Sequence, residues 1–140
     1  MFNDKVRRNM RGKKKKILIV DDDFASRRLV EQIIRSKFTC DISHAQDGSE
    51  GLQTMLREAP DLVILDMVMP FMNGMQVLET MKRSAKLSQI PVIACTAVGD
   101  TSVAKQIISY GVQHYIVKPI DKNTLVEKVS IFVETSDITS

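Results

Sequence analysis

The sequence predicts an α/β protein, a doubly wound five-stranded parallel sheet with helices on both faces. Three observations carry the prediction. Short runs of consecutive aliphatic residues recur along the chain, the pattern of strands buried on both sides. Segments with apolar residues at helical spacing separate them. Four of the runs stop at a polar or charged residue (Asp21, Asp66, Thr96 and Lys118), and open α/β sheets collect their functional groups at the carboxyl ends of strands.

Taken in order, Ile17-Leu18-Ile19-Val20 is the first strand, ending in Asp21-Asp22-Asp23. A helix is predicted over Ser26 to Ser36, with Leu29 and Ile33 inward and Phe38 following. Thr39 to Ser43 forms a short second strand. Asp47-Gly48 opens a helix that turns Leu52, Met55 and Leu56 inward and stops at Pro60. Leu62-Val63-Ile64-Leu65 is the third strand, with Asp66 at its end and Asn73-Gly74 beyond. The next helix carries Met75, Leu78 and Met81 on one side. Pro91 to Cys95 is the fourth strand, with Thr96 at its end. A helix over Ser102 to Ser109 stops at Gly111, a natural left-handed cap. Tyr115-Ile116-Val117 is the fifth strand, followed by Lys118-Pro119, and the last helix, Lys122 to Val133, buries Leu125, Val129 and Phe132.

Strands alternating with helices at this spacing imply right-handed crossovers and a flavodoxin-like (βα)5 sheet of order 2-1-3-4-5. Residues 17–135 form this domain. Residues 1–16 hold eight Lys or Arg against the single acid Asp4 and read as a basic, disordered arm. Residues 136–140 are a short tail. Of 20 basic and 17 acidic residues, 12 and 16 then remain outside the arm, so the folded part is mildly acidic.

Composition excludes several classes. With 44% hydrophobic and 26% charged residues, the chain is that of an ordinary soluble domain. No apolar run approaches the ~18 residues of a membrane span. The four residues Ile17 to Val20 are too few for a signal peptide. A cytoplasmic protein is expected. Cys40 and Cys95 fall in apolar segments, outside any metal-type cluster, and read as buried small hydrophobes. Strands two and four would lie about 14 Å apart, too far for a disulfide.

In the order 2-1-3-4-5, Asp21, Asp22, Asp66, Thr96 and Lys118 open into one crevice. Converging carboxylates repel unless they are protonated or share a cation. Hard oxygen donors suit Mg²⁺ (or Mn²⁺). A carboxylate beside such an ion can attack a phosphoryl group and hold it as an acyl phosphate. An ammonium and a hydroxyl then complement the outer phosphoryl oxygens. Singly, Thr96 reads as a helix cap and Lys118 as a solvated loop residue; at successive strand ends, together, they read as a site.

The motifs Ile-Leu-Ile-Val-Asp-Asp-Asp at 17–23, Leu65 to Pro70 with Asn73-Gly74, Ala94-Cys95-Thr96-Ala97 and Tyr115 to Pro119 resemble those of receiver domains of two-component response regulators, the chemotaxis protein CheY among them. The resemblance spans about residues 15–134. It implies that Asp66 accepts a phosphoryl group from a histidine kinase or phosphotransfer protein, and that the domain catalyses only its own phosphorylation and dephosphorylation. It further implies that Asp21, Asp22, Asp66 and the backbone carbonyl of Val68 hold Mg²⁺, with Asp22 a direct ligand, Asp21 acting mainly through water and Asp23 not a ligand. Thr96 and Lys118 would contact the phosphoryl oxygens, Tyr115 would be the switch aromatic, and Lys118-Pro119 would be cis. A downstream target or fused output domain, and a phosphorylation-dependent dimer, are the implied partners, met on a surface near Ser102 to Tyr115 and the last helix. No membrane or nucleic-acid partner is expected. Asn73 stands where the family often has Asp, with no loss expected. Val68 and Val98 leave no polar side chain to orient a water, so slow self-dephosphorylation is expected. His114 reads as a solvated rim residue.

The rival reading is a haloacid-dehalogenase-type phosphatase with Asp21 as nucleophile and Asp23 as general acid. Against it stand Ala25, where that signature has Thr or Val, the lack of a later strand ending in an acidic pair, and a length that leaves no room for a cap.

Overall fold

The computed structural model describes residues 14–97 and 101–135; most of the basic arm, the 136–140 tail and Val98 lie outside them. Five parallel strands, β1 (Lys15–Val20), β2 (Cys40–Ala45), β3 (Leu62–Asp66), β4 (Val92–Thr96) and β5 (His114–Val117), stand in the order β2-β1-β3-β4-β5. Helices α1 (Phe24–Arg35), α2 (Gly48–Glu58), α3 (Gly74–Arg83), α4 (Thr101–Ser109) and α5 (Lys122–Val129) connect or follow them, with a 3₁₀ turn at Leu87–Gln89. Class and order are those the sequence predicts.

The strands alternate between two cores. Leu18, Val20, Val63, Leu65 and Ala94 pack under Met55 of α2, Val77, Leu78 and Met81 of α3 and Ile107 of α4. Ile17, Ile19, Leu62, Ile64, Ile93, Cys95 and Ile116 pack under α1 and α5. Both sides of β3 are buried along its whole length, which is why its sequence is unbroken aliphatic and not alternating.

Asp23, Asp47, Asn73 and Asp121 begin four of the helices, each accepting the backbone amide three residues on, from Ser26, Glu50, Gln76 and Thr124. Asn73 and Gln76 form a reciprocal capping box. Asn at 73 is thus well used. Because every crossover is a βα unit, these amino termini lie at the sheet edge where the strands end, and their dipoles favour negative charge there.

Four local expectations are corrected. β1 begins at Lys15, inside the predicted arm, because Lys15 and Lys16 pair with Cys40 and Asp41 while their side chains stay in solvent. α1 buries Val30, Ile33 and Ile34, leaving Leu29 exposed on the flank of that stripe. Leu56 of α2 is likewise exposed, one step beyond buried Thr54 and Met55. α5 stops at Val129, and Val133 reaches the core from the turns beyond it. Cys40 and Cys95 are buried and free, as expected.

Gly74 and Gly111 differ in what they permit. A Cβ at Gly74 would lie 2.6 Å from the Met67 Cα and 2.8 Å from the Asp66 carbonyl oxygen. Gly111 has open space but a φ of +84°. Gly74→Ala is expected to destabilise the domain in urea titrations by about 3 kcal/mol, since backbone must move. Gly111→Ala, strained only by its left-handed backbone, should lose about 1–2 kcal/mol.

Candidate functional site

Register places the charged residues together. Val20 pairs with Leu65, so Asp21 and Asp66 follow side by side where β1 and β3 end. Asp66 is level with Cys95, and Thr96 with Val117, so Lys118 stands just beyond the edge. Its long stem reaches back. Lys118 Nζ lies 3.2 Å from Asp66 Oδ1 and 3.6 Å from Asp21 Oδ2. The Lys118-Pro119 bond is cis, and the Lys118 amide donates to the Thr96 carbonyl at 2.7 Å.

Asp21 and Asp66 are each only 5% exposed, whereas Asp22 is open to solvent. One carboxylate oxygen from each of the three lies within 4.8 Å of the others. The Val68 amide donates to Asp66 Oδ1 and the Asp23 amide to Asp21 Oδ1. Three carboxylates and one ammonium leave an excess of negative charge over hard oxygen donors, the donor set that fits Mg²⁺.

The electrostatics follow from burial. Desolvation first, and then the Asp21 carboxylate, push the Asp66 carboxyl above the ordinary range, against Lys118 and the Val68 amide. Burial works against the Lys118 charge, but Asp66 and Asp21 outweigh it and hold the ammonium above its ordinary value. Burial also pushes the Cys95 thiol, one strand over, up to about 12. Cys95 is therefore an inert core residue here.

Thr96 is buried at the end of β4, one place beyond the level of Asp66 and Cys95. Tyr115 of β5 is partly exposed, on the opposite side of the strand from buried Ile116. Val68 is exposed beyond Asp66, and after it comes Phe71, 99% exposed with φ +68°. His114 lies at the other end of β5, half-buried with its ring edge-on to Phe132 at 5.4 Å, not simply solvated.

Two features were missed in the sequence. Asp23 is the cap of α1, taking both the amide and the hydroxyl of Ser26; the Asp-x-x-Ser spacing was the available signal. Arg27 donates from Nη1 to the Asp21 carbonyl at 2.6 Å, and periodicity gives no sign of that.

The comparisons agree with the geometry. Residues 17–130 match the family described as the response regulator receiver domain, and the chain belongs to that family. It is therefore a signalling domain of the phosphorelay type. The chain is similar to "Probable transcriptional regulator ycf27" of Porphyridium aerugineum, 35% identical over 83% of this chain and 47% of that protein. It is also similar to "DNA-binding dual master transcriptional regulator RpaA" of Synechocystis, 31% identical over 87% of this chain and 50% of that one. It thus spans about half the length of the curated relatives it matches. Among solved structures, a response regulator receiver domain protein from Clostridium thermocellum is 26% identical with a TM-score of 0.76, over 84% of this chain and 92% of that one. The chemotaxis protein CheY4 of Vibrio cholerae, 22% identical, shares the fold with a TM-score of 0.78, over 86% and 99%. Nothing supports the phosphatase alternative, and the Asp23 carboxylate it would use as general acid is engaged as a helix cap. Among the described residues no helix is long and apolar enough to cross a membrane.

Asp66→Asn tests the charge excess. The Asp66 carboxyl has a folded-state pKa above its unfolded value, so protonation favours folding. That stability is fully present below about pH 4 and is lost as pH rises through the folded value. At neutral pH without divalent cations the variant should melt roughly 4 °C higher, the response of a domain this size to about 1 kcal/mol. The gain should vanish in acid and shrink in excess Mg²⁺. A lower melting temperature at neutral pH would contradict this account.

Proposed function

We propose that Asp66 is the phosphoacceptor of this receiver, taking a phosphoryl group from the phosphohistidine of a sensor kinase or phosphotransfer protein in the cytoplasm. The observation that carries the reading is the setting of Asp66: a buried carboxylate at a strand end, with an ammonium 3.2 Å away and two more carboxylates close by. An Asp66 oxygen attacks phosphorus, the phosphorus–nitrogen bond of the donor breaks, and the electron pair returns to the imidazole, which takes up a proton. Asp66 thereby becomes an acyl phosphate.

Asp21, Asp22, Asp66 and the Val68 carbonyl would hold Mg²⁺. When bound, the ion supplies positive charge against the phosphoryl oxygens. Lys118 stays protonated beside Asp66 and takes one outer oxygen. Thr96 turns its hydroxyl to another, and Tyr115 moves inward into the space that this vacates. The changed face, α4, β5 and α5, is where a downstream target, a fused output domain or a second copy binds. The domain turns over no substrate beyond its own acyl phosphate. The relative named as DNA-binding favours a transcriptional output.

Incubation with acetyl phosphate and Mg²⁺, followed by intact mass, should add one phosphoryl group to the unaltered chain and none to Asp66→Asn. An unchanged mass in the unaltered chain would overturn the assignment. Val68 is exposed and apolar two residues past Asp66, and Val98 is apolar at the matching place beyond Thr96. Neither can orient a hydrolytic water. The acyl phosphate should therefore persist for minutes or longer in a chase by phosphate-affinity electrophoresis; decay in seconds would contradict this.

A further inference from the structure

The first turn of α1 closes a circuit onto the end of β1. Asp21 Oδ1 accepts the Asp23 amide at 2.9 Å, and Asp23 Oδ2 accepts the Ser26 amide and hydroxyl. The Arg27 amide donates to the Asp23 carbonyl at 3.0 Å, and Arg27 Nη1 returns to the Asp21 carbonyl at 2.6 Å. The Phe24 ring lies 5.7 Å from the guanidinium and covers it. Asp22 sits between two residues held in this way, its own carboxylate turned to solvent.

A guanidinium keeps its charge, and here it lies beside the site while its buried Nε finds no partner among the described residues. An unpartnered buried donor costs free energy. What the placement gains is the contact with the Phe24 ring and one charge-assisted bond, made to the carbonyl of a cluster residue.

We propose that Arg27 is a positioning residue for the cation site. By fixing the Asp21-Asp22 main chain from behind, it sets the direction in which the Asp22 carboxylate faces. The inference rests on the reading of Asp21 and Asp22 as cation ligands. It has a distinctive sign. A nearby positive charge by itself repels a cation, so its removal should tighten Mg²⁺ binding. Loss of a brace that orients ligands should weaken it.

Isothermal titration of the full chain with MgCl₂ decides between them, with no phosphorylation required. Arg27→Gln, which removes the charge and the guanidinium fork, is expected to weaken binding about tenfold, as outer-shell substitutions at metal sites do. Arg27→Lys, with one donor able to reach the carbonyl, should fall between. Arg35→Ala, which removes the ion pair with Glu31 on the last turn of the same helix, should leave affinity unchanged even if melting falls. Equal or tighter binding in Arg27→Gln overturns the inference, as does a lowered melting temperature with unchanged affinity. If Arg27→Gln does not fold, Arg27→Lys decides by the same comparison. No binding by the unaltered chain sinks the metal reading and this inference with it; normal binding there with no loss in the variants sinks this inference alone.

Discussion

Negative charge held in excess at one sheet edge is the constraint on which the rest of this structure depends. Asp21, Asp22 and Asp66 share a volume that one ion could fill, and Lys118 alone among the described residues brings an ammonium to them. Left to themselves these carboxylates would separate or take up protons. They stay together because a parallel sheet sets all its strand ends at one edge, in a register fixed by the buried aliphatic runs. Helix amino termini at the same edge lend partial positive charge. The core therefore serves the site directly: a one-residue slip of β3 would send Asp66 to the other face.

Most of this was legible in the sequence because it depends on periodicity. Residues at 62, 64 and 66 share one side of a strand, as do 17, 19 and 21, so the row that buries Ile19 and Ile64 also presents Asp21 and Asp66. Lys118 continues the row of Ile116. Where the aliphatic run was unbroken, as in Leu62 to Leu65, the element was found to within one residue.

What was not legible depends on rotation and on single long side chains. Leu29 and Leu56 look inward by spacing alone, but a helix settles on its densest stripe, Val30-Ile33-Ile34 in α1, and whatever lies beside that stripe is left outside. Lys15 and Lys16 read as a solvated tract, yet backbone pairing with β2 does not depend on their charge. The Arg27 bond to the Asp21 carbonyl joins a flexible side chain to a backbone atom, which no pattern of residue types encodes.

Phe71 raises a different matter. It stands in the loop after Asp66 with its ring wholly in water and its backbone in the left-handed well. Glycine would occupy that well without strain, and almost any polar residue would be better hydrated. Folding thus asks for neither the ring nor the strain it accompanies. A sequence chosen for stability alone would not place an aromatic there. The ring is left as bare apolar surface on the loop that follows Asp66.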